Sequence, residues 1–198
     1  AVSPQGADFS EPVTQNTKRF ARCFWALDKS LAYARHYPAI NWITSYSEYD
    51  TTLARYFEQN VHHNFMEYRA RIISILREES SLMEIVKLIG ADVLPDDQKL
   101  TIEIARIIRV GFLQQNAYHK DDTYVPLEKQ FKMMEIILYL YDKGREMVTK
   151  GIAIQKLFDC KAFDPLLKMK YDIENDRLDK FDTLKSDIDA KISSITND

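Results

Sequence analysis

The chain has 198 residues, of which 45% are apolar and 29% charged, a balance typical of a globular domain and not of a disordered or collagen-like chain. Its 30 acidic and 27 basic residues give a formal net charge of −3, which provides no overall positive field for binding nucleic acid. Two cysteines predict no disulfide scaffold. The sequence also predicts neither a secretory leader nor a membrane-spanning helix.

The first half of the chain has the composition of a helical protein. Residues 13–89 contain no glycine and a single proline, Pro38. The first twelve residues, which include Pro4 and Gly6, predict an extended lead-in. A helix is predicted from Thr14 to Leu27, and it must end before Pro38 because the residue preceding a proline is pushed out of helical conformation.

Apolar residues at every third or fourth position predict further helices after Asp50, which we expect to cap the first of them. Ser80 and Ser81, with Glu84 three residues after Ser81, predict a new helix start by a capping box. Gly90 predicts the following helix end.

Residues 92–98 read as an acidic loop, and residues 114–126 as a polar connection. Helical periodicity returns in residues 100–108 and 127–141, with Gly144 as a possible interruption. The last helix has apolar residues at spacings of 3, 4, 4 and 3 over residues 181–195, a heptad-like seam on a charged helix. We therefore predict an all-α, multi-helix bundle with an extended N-terminal lead-in.

Motifs for complete catalytic sites are missing from the sequence. The glycine-rich phosphate loop, the dinucleotide-binding fingerprint and the nucleophile elbow are not found. His62 and His63 are adjacent and would point in different directions on a helix, so they do not predict a metal pair. We predict no catalytic residue and no metal site in the chain by itself.

Five segments, in order, carry a specific resemblance: residues 8–17 (DFSEPVTQNT), 24–28 (FWALD), 38–42 (PAINW), 45–47 (SYS) and 111–118 (GFLQQNAY). Together they resemble the catalytic A subunit of V-type and archaeal-type rotary ATPases. The resemblance implies that residues 1–49 are the end of the nucleotide-binding domain and its connection. It also implies that residues 50–198 form the C-terminal helical bundle of the subunit. In this family the phosphate loop and catalytic glutamate lie upstream.

The resemblance also implies a site for the adenine ring. The family places aromatic residues at the positions of Tyr37 and Tyr118, where phenylalanine is usual. Asn116 and Ala117 would lie at the rim, and Tyr124 is a further candidate by analogy with F-type catalytic subunits. A flat adenine ring is commonly held by stacking on aromatic side chains, and a tyrosine ring retains that ability.

A contact with the central stalk is implied for the acidic loop, through Asp92, Asp96 and Asp97. Acidic side chains on a protruding turn would attract basic side chains of the shaft. The residues themselves are equally compatible with a solvated loop in which Asp96 and Asp97 cap the next helix.

The function implied is that of the C-terminal domain of a proton- or sodium-translocating rotary ATPase or ATP synthase. ATP or ADP with Mg²⁺ would bind the full-length protein. The partners would be the central stalk and the non-catalytic B subunit, and the complex would lie in the cytoplasm at a membrane surface. The alternative is a stand-alone helical scaffold or adaptor whose coiled-coil arm is the seam of residues 181–195.

Overall fold

The computed structural model describes residues 1–3 and 10–196. Within them the chain is dominated by helices, which confirms the all-α prediction, and a two-stranded sheet is added near the N-terminus. In chain order the elements are α1 (Pro12–Phe20), β1 (Cys23–Leu27), α2 (Lys29–Tyr33), β2 (Ile40–Ser47), α3 (Asp50–Asn60), α4 (Phe65–Ile89), α5 (Asp96–Ile107), a π-helix (Ile108–Leu113), α6 (Leu127–Thr149), α7 (Gln155–Asp159), α8 (Asp164–Asp172) and α9 (Lys180–Thr196).

The sheet corrects the predicted helix from Thr14 to Leu27. That helix ends at Phe20, and β1 pairs antiparallel with β2, with Phe24 opposite Tyr46. Burial alternates along β1: Phe24 and Ala26 are buried, whereas Trp25 is 53% exposed. Five residues are too few to distinguish this alternation from one turn and a half of helix, so only pairing with β2 reveals the strand.

Part of the predicted extended lead-in lies along the sheet. Val2 forms a parallel bridge with Trp25, so the chain start lies along β1. Pro4 and Gly6 lie outside the described residues. Pro12 belongs to α1 as its first residue, a position where the missing N–H costs nothing.

Helix α4 runs through the predicted restart without a break, so the capping box at Ser81 is wrong. The Ser81 hydroxyl instead donates to the carbonyl of Arg77, one turn earlier. Gly90, with φ of 87°, ends the helix, which confirms the predicted cap. Gly144 does not interrupt α6 but lets Leu100 approach that helix closely.

The core lies where α4, α5 and α6 pack together, with fully buried Leu76, Leu100, Ile104 and Ile137. Helix α8, which sequence periodicity did not reveal, packs against the π-helix.

Helix α9 packs on α6 and α7, so Phe181 and Ile188 of its apolar seam are buried inside the bundle. The seam is therefore occupied, and the free coiled-coil arm of the adaptor alternative is wrong. None of the described helices combines the length and the apolar character needed to span a bilayer.

Candidate functional site

The segments that carry Tyr37 and Tyr118 meet in the structure although they are far apart in sequence. The Gln115 amide donates to the Tyr37 carbonyl at 2.7 Å, and the Gln114 side-chain amide lies 3.3 Å from the Arg35 carbonyl. Asp28 caps α2, the helix that precedes Tyr37, by accepting from the backbone amides of Ser30 and Leu31. The two predicted adenine-side segments thus form one surface.

The aromatic rings on this surface are exposed to solvent. Tyr37 is 55% exposed, Tyr118 is 100% exposed and Tyr124 is 74% exposed. Large aromatic rings usually bury most of their area, so three such exposed rings are free to contact another molecule.

Polar contacts within residues 114–126 shape the loop that presents Tyr118. The Asn116 side-chain oxygen accepts from the Tyr118 amide at 3.0 Å, and the Asn116 amide donates to Asp122 at 2.6 Å. The Thr123 hydroxyl lies 2.8 Å from the Ala117 carbonyl. Asn116 and Ala117, predicted as rim residues, therefore also hold the turn in shape.

The buried side chain of Lys170 bonds to this loop at two points. The sequence did not predict a role for this residue. Its side chain is 1% exposed, its ammonium lies 3.4 Å from an Asp122 carboxylate oxygen, and it also donates to the Gln114 carbonyl. Burial lowers the pKa of Lys170 and the Asp122 carboxylate opposes that shift. Burial and the same carboxylate raise the pKa of the neighbouring Tyr171.

A second buried lysine, Lys129, anchors the far end of the loop. Its ammonium donates to the carbonyls of Lys170 and Ile173 at 3.0 and 2.6 Å, and to the Asn175 side chain at 2.9 Å. Asn175 in turn donates to the Tyr124 carbonyl at 2.9 Å. Burial lowers the pKa of Lys129.

The sequence contained one signal for both lysines. Lys129 lies four residues before the buried Met133, and Lys170 four residues after the buried Leu166. Residues four apart share a helix face, so both lysines occupy core positions in the apolar pattern.

His36 lies immediately before Tyr37 and is buried. Its ring packs on Trp42 with centroids 5.6 Å apart. Burial lowers the pKa of His36, and the nearby positive charges of Arg109 and Lys170 lower it further. The buried His36 ring is therefore neutral near pH 7, and its packing on Trp42 supports the backbone next to Tyr37.

The acidic loop is shorter than predicted, because α5 begins at Asp96. The Asp96 carboxylate accepts from the Ile154 amide at 3.0 Å, so it joins α5 to the chain before α7. Asp92 and Asp97 are exposed at the end of the α4–α5 hairpin. At the same end, two apolar side chains are also exposed, Leu88 to 85% and Val93 to 68%. The hairpin end is thus apolar as well as acidic.

An apolar cavity of about 360 Å³ lies among α3, α4, the π-helix and α6, and its lining includes neither Tyr37 nor Tyr118. The predicted aromatic site is an open surface at a different place. Within the described residues, no three His, Cys, Asp or Glu side chains converge to bind a metal ion.

Comparison with known proteins identifies the family to which the chain is similar. The family model described as the C-terminal domain of V and A type ATP synthase matches residues 54–158, and the model of the ATP synthase alpha/beta family nucleotide-binding domain matches residues 1–47. The fold also matches a solved structure described as a unique ATP synthase subunit NeqB from Nanoarcheaum equitans, with a TM-score of 0.58 and 22% identity over 70% of this chain and 34% of that chain.

Longer relatives share far more sequence. The chain is 55% identical to the V-type ATP synthase alpha chain 2 of Clostridium tetani over 98% of its length, and 51% identical to the V-type ATP synthase alpha chain of Halothermothrix orenii over 96%. It spans about a third of the length of these relatives, 32% of each. Because the first family model covers more than half of the chain, the chain belongs to the family of V and A type ATP synthase C-terminal domains and corresponds to the C-terminal region of the A (alpha) subunit.

Proposed function

We infer that the chain supplies the adenine side of a nucleotide site in the A subunit of a rotary ATPase. The observation that carries this proposal is the 2.7 Å hydrogen bond between Gln115 and the Tyr37 carbonyl, which joins the two aromatic segments into one surface. Exposed Tyr37 and Tyr118 offer apolar ring faces to a flat base, and Tyr124 lies on the same loop as Tyr118. Stacking of this kind contributes about 1–3 kcal/mol per aromatic contact.

The remainder of the nucleotide would be bound outside this chain. ATP or ADP carries phosphates and Mg²⁺, and the described residues offer no cluster that fits the metal. We assign residues 1–49 to the nucleotide-binding domain and residues 50–198 to the helical bundle. The end of β2 at Ser47 and the start of α3 at Asp50 support that boundary.

The partners of the complex follow from the same proposal. Copies of the A subunit would alternate with the non-catalytic B subunit in a ring around a central stalk, at the cytoplasmic face of a membrane, and the complex would move protons or sodium ions. The α4–α5 hairpin contacts the stalk through Asp92 and Asp97, whose charges are exposed. Asp96 is less available because it bonds to the Ile154 amide.

The test replaces each aromatic in turn within the assembled complex. Tyr37→Ala and Tyr118→Ala should each weaken ATP binding at least fivefold (about 1 kcal/mol), because each removes one stacking face. Tyr37→Phe and Tyr118→Phe should bind within twofold of the wild type, since the ring remains. The measurement is the equilibrium dissociation constant for ATP.

Tyr56→Ala serves as the matched control, because Tyr56 is 52% exposed, lies on α3 and belongs to neither of the two aromatic segments. It should leave ATP affinity unchanged. Equal ATP affinity for the wild type and both alanine variants would remove Tyr37 and Tyr118 from the site.

A further inference from the structure

Lys129 and Lys170 are the two lysines that are buried among the described residues, with 0% and 1% of their surface exposed. A buried ammonium is costly unless its charge and its hydrogen bonds are compensated. Both side chains are compensated, and their acceptors belong to the loop of residues 114–126 or to the segment that supports it. The charge is balanced by Asp121 and Asp122, which are also buried.

Lys170 joins the two ends of the turn that presents Tyr118. One acceptor is the Gln114 carbonyl, directly before the residue that bonds to Tyr37. The other is the Asp122 carboxylate, whose same oxygen accepts from the Asn116 amide. A single ammonium therefore fixes where the turn begins and where it closes.

Lys129 fixes the support beneath the turn. Its acceptors at Lys170 and Ile173 are carbonyls at the C-terminal end of α8, which have no partner within that helix. Through Asn175 the same ammonium reaches the Tyr124 carbonyl, and the Asn175 amide also donates to Asp121 at 3.3 Å. Helix α6 is thereby tied to α8 and to the closing part of the loop.

Helix α8 packs closely against the π-helix that leads into the loop. A Cβ atom at Gly111 would lie 2.5 Å from the Leu166 carbonyl oxygen, so the π-helix and α8 are in backbone contact. The π-helix ends at Leu113, and the loop begins at the next residue. Such helices with wider turns recur at functional sites.

We propose that Lys170 and Lys129 are positioning residues for the adenine site: they tie the Tyr118 loop to α8 and α6, so that base contact and bundle packing change together. This rests on the proposed function, because it takes Tyr118 to contact the base. Neither lysine touches the nucleotide. Each acts through the loop, and the expected consequence of its loss is a selective loss of recognition of the base.

The experiment compares two probes on the assembled complex that contains the full-length A subunit. ATP carries adenine, whereas inorganic tripolyphosphate carries the phosphate chain alone. Lys170→Met should weaken ATP binding about tenfold (~1.4 kcal/mol) and leave tripolyphosphate binding within twofold. Lys129→Met should likewise weaken ATP binding more than tripolyphosphate binding, so that the ratio of the two affinities changes in the same direction.

Two further variants keep the test decisive. Lys185→Met has the same side-chain change at an exposed site on α9, over the Tyr139 ring, and should alter neither affinity. Lys170→Met combined with Asp122→Asn removes both charges of the buried Lys170–Asp122 pair, so it should fold even if the single variant does not. In this double variant, ATP binding should still be weakened more than tripolyphosphate binding, because the Gln114 carbonyl loses the Lys170 ammonium as its hydrogen-bond donor.

Equal weakening of ATP and tripolyphosphate in the lysine variants would show a merely structural role and overturn the inference, as would unchanged ATP binding. Tyr118→Ala separates the two proposals. If it leaves the ratio of the two affinities unchanged, the adenine site itself is wrong. If it changes the ratio while the lysine variants do not, the site stands and the positioning role fails.

Discussion

Gly111→Ala tests whether the close contact between the π-helix and α8 stabilises the fold. The added Cβ would lie 2.5 Å from the Leu166 carbonyl oxygen and 3.3 Å from the Leu167 Cα. Both neighbours are backbone atoms, so relief requires α8 or the π-helix to shift as a unit. Helix α8 is held by Lys129 and Lys170, which resist that shift.

The expected change in the free energy of unfolding is the sum of two opposing contributions. Replacing a helical glycine by alanine favours folding by roughly 0.5–1 kcal/mol, because the unfolded chain becomes less free. Forcing an extra carbon into a packed contact costs about 1–3 kcal/mol, and the backbone partner places this case at the upper end. The free energy of unfolding should fall by about 2 kcal/mol.

Equilibrium unfolding in urea measures this change. With a slope of about 2 kcal/mol per molar, the urea midpoint should fall by about 1 M. Gly144→Ala is the control, because the three atoms nearest its added Cβ are side-chain carbons of Leu100, two of them at 2.9 Å. Since that side chain can adjust, the loss should stay within about 1 kcal/mol. A wild-type midpoint for Gly111→Ala, or a larger loss for Gly144→Ala, would refute the reasoning.

The remaining predictions concern α9, the acidic hairpin and pH. Ile188→Ala should lower the free energy of unfolding by about 2–5 kcal/mol, because Ile188 is 1% exposed. Unchanged stability in urea would contradict the packing of α9 against the bundle. Asp92→Asn and Asp97→Asn should each change the free energy of unfolding by under about 0.5 kcal/mol. Together they should lower the affinity for the stalk more at low salt than at high salt. The same dependence of stalk affinity on salt in the wild type and the double variant would contradict stalk contact. Burial holds the pKa of His36 below its ordinary value of 6.5, so below about pH 6.5 the unfolded chain takes up a proton that the folded chain resists. The free energy of unfolding should therefore fall from pH 7 to pH 5, and His36→Gln should flatten this dependence in thermal unfolding; an unchanged slope would contradict it.

Regular apolar spacing made most of the bundle predictable. A stripe at every third or fourth position in residues 61–76 and 100–108 specifies a helix face that must be buried. The second stretch is helical throughout, whereas the first is helical only from Phe65, because residues 61–64 form the turn between α3 and α4. Short elements were less predictable: β1 has five residues, and its Phe24 and Trp25 fit a helical pattern as well as a strand. Its conformation depends on pairing with β2, a partner more than a dozen residues away.

The candidate site was likewise predictable from the sequence only in part. Tyr37 and Tyr118 could be named from the sequence because the short segments around them resemble a known family. The contact between the two segments is decided by the tertiary structure, through the hydrogen bond from the Gln115 amide to the Tyr37 carbonyl. The tertiary structure also shows that the Asp96 carboxylate, predicted to contact the stalk, accepts a hydrogen bond from the Ile154 amide, across 58 residues of sequence.

The sequence by itself determined the helical class, the family and the aromatic candidates, because periodicity and short motifs are local properties. The tertiary structure alone decided that the seam of residues 181–195 is buried within the bundle, since that depends on α6 and α7 lying against it. It also alone decided the roles of Lys129 and Lys170. A lysine in an apolar pattern is explained only by its acceptors, and those lie 41 to 56 residues away along the chain.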